Sequence, residues 1–249
     1  MRDRSKVSVQ SRTEVLTDSN RLRKQVISWR LQGFSIALVP TMGALHNGHI
    51  ELVKRALLAA DRVIVSIFVN PTQFSPEEDF SSYPRRESHD RMVLDKAGAD
   101  IVYIPNAGDM YPKAFQTKIE VAGLSEVLCG SQRPRHFSGV ATIVVKLLQQ
   151  SQADFAIFGE KDFQQLALIK QLVTDLDIPV TIIGVPTIRA KDGLALSSRN
   201  AYLTKVERAL APKLYSELLS VAEDVVNGEK ALLRCKKAKE FLLQEGFIK

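Results

Sequence analysis

Apolar positions along this chain switch repeatedly between a helical spacing and short unbroken runs, and that alternation outlines the fold before any motif is considered. Leu22, Val26, Ile27, Trp29 and Leu31 recur at helical spacing in a polar background, and Gly33 stands where a C-cap belongs. Residues 35–39 then read as a buried strand. Helical periodicity returns over residues 50–60, and residues 63–69 form a second run rich in β-branched side chains. Strand-like runs recur at 101–104, 155–158 and 180–183, separated by helix-like stretches at 88–97, 139–150 and 163–176. Short apolar strands alternating with helices predict an α/β fold, a doubly wound parallel sheet covered on both faces. In such folds ligands sit beyond the carboxyl ends of the strands. After about Pro186 the pattern becomes charged and helical up to Gly246, and Thr204 with Glu207 has the spacing of a capping box. The predicted division is a large domain over residues 1–187 and a small C-terminal one over 188–249.

Composition narrows the class. A chain of 249 residues, 45% hydrophobic and 25% charged, has the apolar content for a sizeable core. No run of about eighteen apolar residues exists, and the charged N-terminus is followed by no apolar stretch. The expectation is a cytoplasmic protein without a membrane partner. Two cysteines, Cys129 and Cys235, lack any metal-like spacing and fit a reducing compartment. A formal charge of +6 suits either a nucleic acid or a small polyanion such as ATP. Basic residues cluster only at Arg133–His136 and at Lys236, Lys237 and Lys239, without interleaved aromatics, so no nucleic-acid partner is expected.

Four segments carry candidate chemistry. The first runs from Pro40 through Thr41, Met42, Gly43, Ala44, Leu45, His46, Asn47 and Gly48 to His49, directly after a strand and opening a helix. A helix N-terminus offers unpaired N–H groups and a positive dipole end, a place for phosphate. Two imidazoles three residues apart can then face one phosphate. Taken alone, two nearby histidines are also compatible with metal ligands or a polar helix start, but their place between a strand and a helix favours the phosphate reading. The second segment, Gly159, Glu160, Lys161 and Asp162 with Gln165, is again a strand running into a helix. Lys161 there can neutralise phosphate and Gln165 can read a hydroxyl or carboxylate, although exposed lysines are commonly just solvated. The third clusters Ser197, Ser198 and Arg199 after Leu196, an anion clamp or a polar turn. The fourth places Asn70 and Gln73 at the end of the second strand. No GxxxxGK[ST], GxGxxG or HExxH occurs, which excludes the signatures of P-loop, dinucleotide-binding and zincin sites.

Together these segments resemble the pantothenate synthetase (pantoate–β-alanine ligase) family. VPTMGALHxGH, SIFVNPxQF, CGxxRPxHFxGV, FGEKDxQQL and DGLxxSSRNxYL occur in order over residues 14 to 205. The HxGH and Ser-Ser-Arg pair is also similar to the signatures of class I aminoacyl-tRNA synthetases, so the wider nucleotidyltransferase superfamily is the broader resemblance. It implies a Rossmann-like domain with a small C-terminal lid, using ATP and Mg2+ to join pantoate to β-alanine through a pantoyl adenylate, in a homodimer. Residues Pro40 to His49, Gly159 to Asp162, the backbone of Ile188 and Leu196 to Arg199 would hold ATP. His46, His49, Lys161, Ser197, Ser198 and Arg199 would act on its phosphates, with His49 as donor in the chemical step. Gln73, Gln165 and Asn70 would hold pantoate, and Asp90 matches an acidic position associated with magnesium. Three departures stand out: Arg135 where the family has Gly, Leu196 where it has Met, and an end at Lys249 that implies a shortened lid. A tRNA-charging enzyme and a non-catalytic nucleotide sensor are the rival expectations.

Overall fold

The computed structural model describes residues 13–248. It resolves into two compact units, one up to Pro186 and one from Thr187. The first holds β1 (Glu14–Leu16), α1 (Ser19–Leu31), β2 (Ile36–Thr41), α2 (Asn47–Ala59), β3 (Arg62–Ile67), α3 (Glu87–Ala97), β4 (Ile101–Tyr103) and α4 (Ala107–Met110). It continues through α5 (Cys129–Gln132), α6 (His136–Ser151), β5 (Phe155–Gly159), α7 (Phe163–Asp175) and β6 (Thr181–Val185). Six strands form one sheet in the order β1-β4-β3-β2-β5-β6, every pairing parallel.

The unbroken apolar runs are explained by burial on both faces. In β2, Ile36 and Leu38 enter one core with Leu22, Val26, Trp29, Val140 and Leu147, while Ala37 and Val39 enter another with Val53, Ala56, Val65 and Leu94. Alternate residues point to opposite faces, so a strand between two helical layers reads as a nearly continuous apolar run. α1 starts at the Asp18 cap and ends before Gly33, whose φ of 75° is the left-handed turn expected there. The chain leaves β2 toward β3 on one side, whereas β5 pairs with β2 on the other. This reversal opens a crevice beyond the carboxyl ends of β2 and β5, the place where doubly wound sheets take ligands.

The second unit contains α8 (Lys205–Leu210), α9 (Lys213–Val226) and α10 (Ala231–Gln244). The Thr204–Glu207 capping box is formed in both directions. Arg234 joins α10 to α9 through Glu217 and Asp224.

Candidate active site

The loop after β2 is built on a left-handed turn. Thr41 Oγ1 donates to the Ser66 carbonyl at 2.7 Å and accepts from the Gly43 N–H at 3.2 Å. Gly43 and Ala44 then take φ of 83° and 51°. A side chain at Gly43 would sit 3.0 Å from Ile67 and 3.1 Å from Asp90, so glycine is required twice over, by conformation and by space. Ala44 has no such freedom. Its turn is held by Asp90 of α3, whose carboxylate accepts the N–H groups of Ala44 and Leu45 at 2.8 and 2.9 Å. Asp90 is almost wholly buried. Each of its oxygens therefore accepts one backbone N–H. Asp90 thus pins the loop from beneath.

His46 ends this turn and caps α2. Its Nδ1 accepts from the Gly48 N–H at 3.1 Å, and the Nδ1 of His49 accepts from the His46 N–H at 3.2 Å. Reciprocal capping of this kind normally uses a hydroxyl and a glutamate. Done by two histidines, it fixes both tautomers. With Nδ1 accepting, the proton of each neutral ring must lie on Nε2. The rings lie 4.1 Å apart at 42°. Burial lowers both pKa values, His49 to about 3, and the neighbouring charge of Lys161 lowers both further. Two neutral imidazoles thus present two Nε2–H donors close to one ammonium. Asn47, between them, is exposed on the first turn of α2.

The β5 junction is different in kind. Gly159 leads into a short 3-10 turn, Glu160–Asp162, where the Lys161 ammonium lies 3.4 Å from Asp162 and both are substantially exposed. Two adjacent glutamines follow with separate fates. The Gln164 amide is spent on the carbonyls of Leu124 and Val127 and the N–H of Cys129. The half-buried Gln165 side chain makes no hydrogen bond to a described residue and is available to a ligand.

Beyond β3, Gln73 donates to the Met42 sulfur at 3.2 Å, which ties the fourth segment to the first. Asn70 is a hub. Its amide donates to Gln73 Oε1 and the Gly139 carbonyl, and its oxygen accepts from Thr72 and Tyr111. It is 1% exposed, every polar atom of its side chain is engaged, and one of its bonds supports Gln73. Sequence reasoning gave no role to Tyr111, Arg133 or His136, although RPxHF stood among the motifs.

In the second unit, residues 188–196 fold into a tight antiparallel turn. The Leu196 N–H donates to the Ile188 carbonyl at 2.9 Å, and Gly193 lies at the tip with φ of 91°. Arg189 stacks on Tyr215 at 3.3 Å, and Asp192 pairs with Arg208. Ser197 caps the following turn, Ser198–Tyr202, by accepting the Arg199 N–H.

The family model for pantoate-beta-alanine ligase matches residues 14–248. A curated pantothenate synthetase of Paramagnetospirillum magneticum is 55% identical over 226 residues, 91% of this chain and 80% of the relative. The crystal structure of pantothenate synthetase from Thermus thermophilus superposes with a TM-score of 0.88 at 42% identity, covering 94% of this chain and 83% of that one. A pantoate-beta-alanine ligase from Francisella tularensis, complexed with β-γ ATP and β-alanine, gives 0.78 at 42% identity over 82% of this chain and 78% of that one.

Proposed function

The chain belongs to the pantoate–β-alanine ligase family, and from that premise we propose that it joins its two substrates through an enzyme-held pantoyl adenylate. The overall activity is that of the family: an ATP-dependent ligase that condenses pantoate with β-alanine to pantothenate. In the first step a pantoate carboxylate oxygen attacks the α-phosphorus, and the bond to pyrophosphate breaks. In the second the β-alanine amine attacks the acyl carbon, and AMP leaves with the bonding pair. No protein nucleophile takes part, so catalysis is placement and charge stabilisation.

The observation that carries this reading is the paired Nε2–H tautomer of His46 and His49, fixed by the loop's own N–H groups. Negative charge grows on the departing phosphate oxygens, and donors already locked in orientation need no rearrangement to meet it. A neutral imidazole also avoids a fixed charge that would hold pyrophosphate after reaction. Lys161 supplies the positive charge instead. Gln73 and Gln165 take the acid. Ser197, Ser198 and Arg199 are assigned phosphate contacts on the resemblance alone, as are the adenine-side contacts of Ile188 and Leu196. Mg2+ would enter with ATP and neutralise charge on its phosphates, and Asp90 is assigned to it on the resemblance alone. Two exposed, unpaired cysteines accord with a cytoplasmic setting. A homodimer rests on the resemblance.

Exchange of labelled pyrophosphate into ATP tests the scheme. It should require pantoate and proceed without β-alanine, and β-alanine alone should not support it. Formation of ADP in place of AMP would overturn the adenylate. Exchange driven by another small acid would keep the chemistry and replace the substrate.

A further inference from the structure

The RPxHF motif contributes two side chains to a closed hydrogen-bond circuit around the loop that carries Gln73. The Gln73 carbonyl can only accept, so His136 Nδ1, 2.8 Å away, must donate. His136 Nε2 is then the acceptor for Arg133 Nη1–H at 3.2 Å. Arg133 grips Glu78 with two bonds, Nε to Oε1 at 2.6 Å and Nη2 to Oε2 at 2.9 Å. Glu78 closes the circuit by accepting the Ser75 N–H at 3.1 Å. The path leaves the loop at Gln73 and returns at Ser75. Every donor and acceptor along it is matched only when His136 is neutral with its proton on Nδ1, the opposite tautomer from His46 and His49. Burial lowers the His136 pKa and so favours that neutral form. From the same helix, Gly139 lies so close to the turn that a Cβ would meet the Thr72 carbonyl oxygen at 2.5 Å and Gln73 N at 2.7 Å.

We propose that Arg133, His136 and Glu78 are positioning residues that clamp the Asn70–Glu78 loop to the start of α6, so that the Gln73 amide is held toward the acid substrate. The proposal rests on the assignment of Gln73 to pantoate. None of the three needs to touch substrate; the clamp acts through the backbone of Gln73. Loss of the clamp should therefore be felt in acid binding and spared in ATP binding.

The test is steady-state pyrophosphate exchange with His136→Leu, His136→Asn and Glu78→Gln, together with hydrogen–deuterium exchange over residues 70–78. His136→Leu should raise the pantoate KM about tenfold, as two net hydrogen bonds are lost, with the ATP KM within about twofold. An asparagine amide can still donate to the Gln73 carbonyl, so His136→Asn should recover part of that loss. Glu78→Gln combined with His136→Leu should be no worse than His136→Leu alone, because one broken link opens the circuit. Amide exchange at Gln73 and Ser75 should rise in each variant. Unchanged exchange there in a folded His136→Leu protein overturns the clamp, as do equal rises in both KM values or additive effects. If His136→Leu fails to fold, Glu78→Gln and His136→Asn decide the matter by the same two readouts. A Gln73→Leu variant with normal pantoate KM, beside loosened loop exchange in His136→Leu, would sink the acid assignment and leave the clamp standing.

Discussion

The junctions after β2 and after β5 occupy equivalent places in the sheet, yet they are built on opposite principles. After β2 the backbone donors of Gly43, Ala44, Leu45, His46 and Gly48 are all caught, by Thr41, Asp90, His49 or His46. After β5 the turn is short and exposed, and Lys161 leans on its neighbour Asp162. The first supplies directional donors that must be right before substrate arrives. The second supplies charge, which falls off slowly with distance and tolerates movement. The proposed phosphoryl chemistry needs both, and the fold would draw them from separate strands.

That contrast predicts unequal tolerance to substitution. His49→Ala removes one preorganised donor and should lower turnover about 10²–10³-fold with the fold intact. No other side chain combines an Nδ1 acceptor for the His46 N–H with an opposed N–H donor, so conservative replacements should not restore it. Near-normal turnover in His49→Ala would remove the residue from the mechanism. Lys161→Ala removes a charged contact worth about 1.5–3 kcal/mol, a loss of roughly ten- to a hundredfold in kcat/KM. Here Lys161→Arg should recover most of it, because an exposed turn can accommodate a different cation. Failure of arginine to rescue would make the two junctions alike and break the comparison.

Asp90 decides whether the β2 loop is pinned or merely metal-assisted. Asp90→Asn leaves one of the two loop N–H groups facing an NH2, a cost of about 1–3 kcal/mol in stability. It should also weaken AMP binding measured in EDTA, where no divalent ion is present. A metal ligand would behave otherwise, with AMP binding in EDTA unchanged and a raised Mg2+ requirement. Acid provides a related readout. The folded pKa values of His46 and His49 lie below the ordinary 6.5, so the unfolded chain binds more protons as pH falls. Their contribution is fully present above that value and is lost as pH drops toward about 3, the value for His49. Denaturant unfolding should therefore show a shallower loss between about pH 7 and pH 5 in His49→Ala than in the wild type. Parallel pH profiles would mean that His49 titrates normally.

The sequence made some of this visible and hid the rest for definable reasons. The runs that became β2, β3 and β5 were legible because burial on both faces leaves few polar positions to blur them. β1 was not, since Glu14–Leu16 is three residues long and its strand character comes from pairing with Ile101–Tyr103. α6 begins at His136, earlier than its apolar period suggests, because its first turn is fastened by the Gln73 carbonyl. HxGH could be found from a strand, glycines and a helix in succession. The tautomers could not, because they depend on which N–H each Nδ1 accepts. Nothing local distinguishes Gln164 from Gln165, and nothing near Asp90 announces partners more than forty residues away.

The smallest predicted effect extends the contrast to two other positions, the non-glycine residues Ala44 and Arg135, which both take left-handed φ, 51° and 70°. Ala44 is held there by Asp90, so its strain serves the loop. Arg135 caps α6 without a side-chain capping hydrogen bond, and it is exposed. Left-handed backbone costs an ordinary residue about 1–2 kcal/mol. Glycine would escape that cost and give back about 0.5–1 kcal/mol through its looser unfolded chain. A cation at a helix N-terminus is in addition opposed by the dipole, by about 0.3–1 kcal/mol. The balance predicts that Arg135→Gly stabilises the protein by about 1 kcal/mol, a rise in Tm of about 2–4 °C for a chain of this size. The pantoate KM should stay within about twofold, since Arg135 stands outside the Arg133–His136 circuit although it lies between its members. A fall in Tm would mean that the Arg135 guanidinium makes a contact stronger than the strain it bears. A rise in Tm with a raised pantoate KM would mean that the strained turn helps aim His136, and that this strain, like Ala44's, serves the site.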